Sequence, residues 1–241
     1  MTTGCNFLLK EFLPSRYLQF QHFRRHPRLV LEFVFKTPVF KPFLKPNHPI
    51  PQFLYKSTVL DLSNNMFNRS LPFLCTEKNS YLSYLDLSSN LLSGQIPDCW
   101  TTYQQLSTIN LENNNLLGAV PNSLRSIEQL GSLRLMNTSL YGEIPESLKN
   151  CSRLKLLDLG ENKIIGIIPP WIGARLESLI VLCLRSNKFH GDILSTLRHL
   201  QFLQVLDLSL SNISGSIPSC LNNLTTMANH GSSRYQLLVV L

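Results

Sequence analysis

The chain has 241 residues, 44% of them hydrophobic and only 15% charged, with a formal net charge of +7 at pH 7. The excess is local: residues 1–50 hold eight Lys/Arg against two acids, and the other 191 hold 14 basic and 13 acidic side chains. Nucleic acid is thereby excluded as a partner of the main body. No run approaches the ~18 apolar residues of a membrane span, so a spanning helix is excluded as well.

Taken in chain order, residues 1–49 come first and fit no repeat. They are rich in Phe and basic side chains and carry Pro14, Pro27, Pro38, Pro42, Pro46 and Pro49. They read as a poorly ordered leader. Within it "RLVLEFVFK" (28–36) is a candidate strand that would cap the first coil. A basic arm for acidic surfaces is the weaker reading, because no nucleic-acid module spacing accompanies it. The opening "MTTGCNFLLKEFLPSRYLQF" lacks the apolar run of a secretory signal.

From residue 50 the sequence repeats. "LDLSNN" begins at 60, "LDLSSN" at 85, "INLENN" at 109 and "LRLMNT" at 133, then "LDLGEN" at 157, "LCLRSN" at 182 and "LDLSLS" at 206. The intervals are 24 or 25 residues throughout. A fixed period in this range is the signature of a solenoid. Leu-x-Leu on a short strand points both leucines one way and the middle residue the other. Stacked coils pair these strands into a parallel concave sheet, predicted to have about seven strands, with leucines filling a continuous core. The core hexamer ends in Asn65, Asn90, Asn114, Asn162 and Asn187, with Thr138 and Ser211 in the other two coils. An Asn amide there can satisfy backbone groups inside a narrow turn. A Gly follows four residues later in six coils, then an apolar-Pro pair in six, as at Ile96-Pro97 and Ile144-Pro145. Gly permits left-handed angles, and Pro suits an extended segment outside a ladder. The fold class is therefore an α/β repeat: a parallel concave sheet with an irregular and 3-10 convex side. The repeat domain spans 50–225, and 226–241 is predicted to be an irregular tail. That tail offers no polar cap, so exposed core at the ends predicts marginal stability or association.

The pattern LxxLxxLxLxxNxLxGxIPxx, as in "LSYLDLSSNLLSGQIPDCW", resembles the plant-specific leucine-rich repeat of receptor-like kinases, receptor-like proteins and polygalacturonase inhibitors. "LPFLCTEKNSYLSYLDLSSNLLSGQIPDCW" and "LQVLDLSLSNISGSIPSCLNNLTTM" resemble receptor-like proteins of the ethylene-inducing-xylanase receptor type. The resemblance covers about residues 50–232 and implies a plasma-membrane protein's extracellular side. It also implies a protein or peptide ligand, with a co-receptor kinase as a further partner, in defence or developmental signalling. That family carries a signal peptide, a longer repeat array and a membrane span, so the chain is expected to be an internal slice of such an ectodomain. The inhibitor branch, which binds a secreted hydrolase, and a non-functional truncated gene product are the alternatives.

Six cysteines occur, at 5, 75, 99, 151, 183 and 220, with no C-x-x-C pair. Cys75 and Cys99 occupy nearly the same place on adjacent coils, and strands ~4.8 Å apart leave a disulfide feasible. Two unpaired small hydrophobes is the equal alternative. Cys183, between its two leucines, is expected to point outward as a free thiol. Sequons occur at Asn68, Asn137, Asn150, Asn212 and Asn223. No P-loop, G-x-S-x-G or H-E-x-x-H motif is present, and neither a cofactor nor a metal is implied, so no enzyme is expected. The outward columns of the concave sheet break from Asp and Ser in the central coils, at Glu112, Arg134, Met136, Asp158 and Arg185. This exposed patch is the candidate ligand-binding face, against the reading that these positions have merely drifted. Asp158, as a surface residue, is expected to matter little to stability.

Overall fold

The computed structural model describes residues 57–76, 81–219 and 238–240. The leader with its candidate strand, Cys5, Cys220 and Asn223 lie outside the described residues.

Three-residue strands start one residue before every Leu-x-Leu pair and end on its middle residue. These are β1 (Val59–Asp61), β2 (Tyr84–Asp86), β4 (Thr108–Asn110), β6 (Ser132–Arg134), β8 (Leu156–Asp158), β10 (Val181–Cys183) and β12 (Val205–Asp207). They pair in parallel with each sequence neighbour, and register follows the repeat: Leu85 faces Ile109, Ile109 faces Leu133, and Leu133 faces Leu157. An eighth strand, β14 (Leu238–Val240), pairs with Val205–Asp207, so the tail adds to the sheet.

The leucines before and after each middle residue fill one core. Leu85, Leu87, Ile109, Leu111, Leu133, Leu135, Leu157 and Leu159 are all buried in it. Full burial of each such side chain is worth roughly 1.5–3 kcal/mol. Ladder bonds continue past the strands, as in Leu111 N–H to Arg134 O at 2.9 Å and Leu135 N–H to Asp158 O at 2.8 Å.

The turn that follows is built around the ladder Asn. The Asn90 amide donates to Leu62 O of the preceding coil at 2.9 Å and to Leu87 O at 3.0 Å, while its carbonyl accepts Phe67 N–H at 3.0 Å. Asn114, Asn162 and Asn187 repeat that set in their own coils. Among the described residues, Asn65 bonds within its own coil, to Leu62 O and Ser63 O. Thr138 keeps part of the function by donating to Asn162 Oδ1 at 2.6 Å, whereas the Ser211 hydroxyl is buried without a partner. The residue before the ladder position is left-handed in all seven coils, from Asn64 (φ 58) to Leu210 (φ 56).

A second sheet runs along the solenoid, which the sequence reading did not foresee. Its strands are β3 (Ser93–Gln95), β5 (Asn115–Gly118), β7 (Ser139–Gly142), β9 (Lys163–Gly166), β11 (Lys188–Asp192) and β13 (Asn212–Ser214). It arises because each repeat Gly, such as Gly118 at φ +94, turns the chain beside the preceding coil; a Cβ there would meet Gln95 Cγ at 3.0 Å. The remaining arc holds 3-10 turns at Trp100–Thr102, Asn122–Ser126, Glu146–Asn150 and Ser195–His199 and short helices α1 (Phe73–Thr76) and α2 (Trp171–Arg175). Pro121 and Pro145 enter their turns with ψ of 139° and 133°. Leu194, which replaces Pro in the sixth coil, enters with ψ 138°, so Pro presets this backbone without being required for it.

Cys75 and Cys99 form a disulfide with Cα atoms 5.6 Å apart, joining the first two coils. Cys183 corrects the reading above: it is fully buried and disulfide-bonded rather than a free thiol. The free cysteine among the described residues is Cys151, which is buried, and desolvation pushes its thiol up to about 11.

Candidate functional site

The outward column between the leucines is not exposed, contrary to expectation. Asp61, Asp86, Asn110, Asp158, Cys183 and Asp207 are all buried. The physical reason is twofold. Strands a few ångströms apart pack their outward side chains against one another. A short carboxylate can also satisfy itself locally, because Oδ1 of Asp86 accepts both the backbone N–H and the hydroxyl of Ser88, at 2.9 and 2.6 Å. Asp61 and Asp207 do the same with Ser63 and Ser209. These aspartates are structural parts of the turn.

Asp158 is the exception within the column. Its i+2 partner is Gly160, which offers a backbone N–H at 3.0 Å and no hydroxyl. A Cβ at Gly160 would meet Arg185 Cγ at 3.0 Å. Asp158 Oδ2 is consequently buried without a hydrogen bond, and desolvation raises its carboxyl to about 7. Burial also raises Glu112 above the ordinary glutamate value, while Arg134 opposes that shift.

The five patch residues thus separate. Arg134 pairs in register with Asp158 on the next strand, and its Nε is buried without a hydrogen bond. Arg185 lies within 3.8 Å of Glu161 and 3.9 Å of Asp207 and is tied into the turn network. Met136 is 6% exposed, which removes it from the contact surface. Glu112 is half-buried. Of the five, only Arg134 lines the groove that the sheet actually forms.

That groove has a volume of about 350 Å³ and crosses the strand starts of five coils, from Tyr84 through Thr108, Ser132 and Leu156 to Val181. Arg153 and Lys155 stand exposed along it, the half-buried Arg134 also lines it, and Leu156, Ile180 and Val181 supply apolar lining. Val181 and Leu156 belong to a small hydrophobic cluster separate from the main core. Sequence reasoning missed most of these residues because it looked within and after Leu-x-Leu, whereas most of the lining lies one, two and four positions before it. The available signal was "RLK" at 153–155, because only this coil of the seven carries a cation at both matching places.

Among the sequons, Asn137, Asn150 and Asn212 are exposed and Asn68 is half-buried. Among the described residues no group of three or more His, Cys, Asp or Glu is placed to hold a metal ion, and no helix is long and apolar enough to cross a membrane.

The architecture defines a leucine-rich-repeat solenoid. A family model described as Leucine Rich Repeat matches residues 81–102, 105–127, 153–174 and 202–224. Among solved structures, the chain is similar to plant receptor kinase ectodomains. The leucine-rich-repeat ectodomain of GASSHO1/SCHENGEN3 from Arabidopsis thaliana, in complex with CASPARIAN STRIP INTEGRITY FACTOR 2, is 36% identical over 73% of this chain and 21% of that one, with a TM-score of 0.68. The Arabidopsis receptor kinase HAESA, in complex with the peptide hormone IDA and the co-receptor SERK1, is 28% identical over 70% of this chain and 32% of that one, at 0.61. PEPR1 in the PEPR1-AtPEP1 structure is 28% identical over 71% and 24%, at 0.66. The chain thus spans a fifth to a third of the length of these three structures. A comparison with curated proteins found no match.

Proposed function

We propose that the chain is a non-catalytic recognition module that binds a protein or peptide ligand across its long sheet. The single observation that carries this is the groove over five consecutive strand starts, walled by apolar side chains and edged by three cations. Recessed apolar walls with a few convergent polar groups are the usual form of a binding site. The similar ectodomains, seen with a peptide hormone and with a co-receptor, support the same reading for this chain. On that reading it works on the extracellular side of the plasma membrane as part of a glycosylated receptor of the ethylene-inducing-xylanase receptor type. It acts there in defence or developmental signalling, with a co-receptor kinase as second partner.

Ser132→Trp tests the reading without changing charge, because Ser132 is half-exposed and lines the groove. Peptides selected from a random display library on the full chain should lose binding to this variant while its thermal midpoint is unchanged. Failure to select any peptide, or retention of all selected peptides by the variant, rejects the reading.

A further inference from the structure

We infer that the groove selects an extended acidic peptide segment of about six residues, one whose carboxylates face Arg134, Arg153 and Lys155 and whose apolar side chains face Leu156, Ile180 and Val181. The inference rests on the proposed recognition role and adds the chemical class of the ligand.

Charge is the first argument. The groove lining holds three cations and no acid. The acids of the long sheet, Asp61, Asp86, Asp158 and Asp207, and Glu112 just beyond it do not line it. The four aspartates are buried, and Asp61, Asp86 and Asp207 accept from Ser63, Ser88 and Ser209. A ligand in the groove therefore meets one sign of charge, which sets specificity and association rate more than affinity.

The second argument is an unpaired donor. Arg134 Nε is buried and has no hydrogen-bond partner. A buried donor left unsatisfied costs roughly 1–3 kcal/mol, which an incoming carboxylate would recover. Arg153 is already oriented, since its guanidinium donates to Gln129 Oε1 on the preceding coil, another residue of the lining. Lys155 is exposed, and its backbone N–H is bonded to Gly131 O at 2.8 Å, so its side chain alone is available to a ligand.

The third argument is length. Five strands spaced ~4.8 Å apart give a track of roughly 19 Å, and an extended chain rises ~3.3 Å per residue, so about six residues fit. Backbone groups at the strand starts are already paired between coils, as in Ser107 N–H to Ser83 O and Gly131 N–H to Ser107 O, both 2.8 Å. The segment is thus held by side chains rather than by adding a strand. Along that track the cations stand on the fourth and fifth coils and the apolar side chains on the fifth and sixth, so the carboxylates of the segment belong at the former and its apolar residues at the latter.

The test uses the full chain and two fluorescein-labelled octapeptides of alternating sequence, Glu with Leu and Lys with Leu, read by fluorescence anisotropy at low and moderate salt. Oligogalacturonate, an extended polyanion without apolar side chains, is the third probe. Arg153→Glu with Lys155→Glu reverses two exposed charges and should leave the thermal midpoint in place; Arg134→Gln is read separately. The acidic peptide should bind at least about tenfold more tightly than the basic one, lose roughly tenfold or more in the double variant, and weaken with salt. Equal binding of both peptides, or acidic-peptide binding untouched by the double variant, overturns the inference. Oligogalacturonate binding as tightly as the acidic peptide overturns the peptide class. Library peptides that bind, are lost in Ser132→Trp and yet show no acidic enrichment overturn the acid preference while the recognition role stands. If no library peptide binds, both fall.

Discussion

The residue that most changes the energetics of the sheet is Asp158, whose place in the repeat looks like that of a surface aspartate. In the folded chain its carboxyl titrates at about 7 instead of 3.8, chiefly through desolvation. The folded state therefore holds a proton that the unfolded state releases. Below pH 3.8 both states are protonated and nothing is lost; stability falls as pH rises from about 3.8 to about 7 and then levels. Glu112 shifts in the same direction for the same reason. Asp158→Asn keeps an acceptor for Gly160 N–H and removes the titration. Urea midpoints of wild type and variant should coincide most closely near pH 4 and separate in favour of the variant by pH 7.5, on the order of 2–4 kcal/mol. A pH-independent difference would show that Asp158 is solvated. Its neighbour Leu157, fully buried, follows the ordinary core rule, and Leu157→Ala should cost ~2–5 kcal/mol by the same denaturation. Leu210 departs from its equivalents in a different way: it is left-handed at φ 56 and 72% exposed, where the other coils use Asn, Ser or, at Glu161, another polar residue. Leu210→Asn should stabilise by about 1 kcal/mol, since Asn tolerates that conformation and no core contact is lost.

At the scale of the element, the strands were legible and their surroundings were not. Leu-x-Leu states its own answer, because the spacing of two and the neighbouring coils leave one way to bury both leucines. The Asn ladder was legible for a similar reason: a narrow turn leaves backbone groups that an amide at that place can reach, and Thr138 replaces only part of that set. The second sheet was hidden because strands such as Asn115–Gly118 carry one buried leucine each and end on a left-handed Gly, a pattern that reads as turn. Burial of the Asp column was hidden because it comes from coil stacking and from serines two residues on, neither of which hydropathy records. Gly173 was hidden too. Its φ is ordinary, but a Cβ on it would lie 2.2 Å from Thr196 O of the next coil, against backbone. Gly173→Ala should therefore separate α2 (Trp171–Arg175) from the turn Ser195–His199 and cost ~1–3 kcal/mol or more by overpacking, with the thermal midpoint as the measurement. The same substitution at the half-exposed Gly131, whose nearest neighbour is Ser107 O at 3.6 Å, is the control expected to cost little.

For the whole molecule, stability is a chain of nearest-neighbour terms. Each long-sheet strand pairs only with the strand of the coil before and the coil after it, and the Asn ladder bonds reach back a single coil. In such a stack a lesion weakens its two interfaces and is not spread over the domain. Position along the solenoid should then decide how a lesion is felt. Asn162 sits in the middle and holds Leu135 O of the preceding coil at 2.8 Å, Leu159 O of its own at 3.0 Å, and Leu140 N–H at 3.0 Å. Asn162→Ala orphans those buried groups at roughly 1–3 kcal/mol for each one left unpaired. The two halves should uncouple, so the urea transition broadens and its slope falls, a sign that one cooperative unit has become two. Hydrogen exchange should locate the break: Leu133–Leu140 and Leu157–Ile164 lose protection together, while Leu85–Leu92 keeps its own. The first coils are held differently, by the Cys75–Cys99 bridge, whose loop of about 25 residues is worth about 3 kcal/mol. Reduction should therefore expose Leu60–Leu74 to exchange and leave the centre protected. If either lesion instead lowered protection evenly from Leu60 to Leu208, the solenoid would be folding as a single unit, and additive coil-by-coil stability would be ruled out.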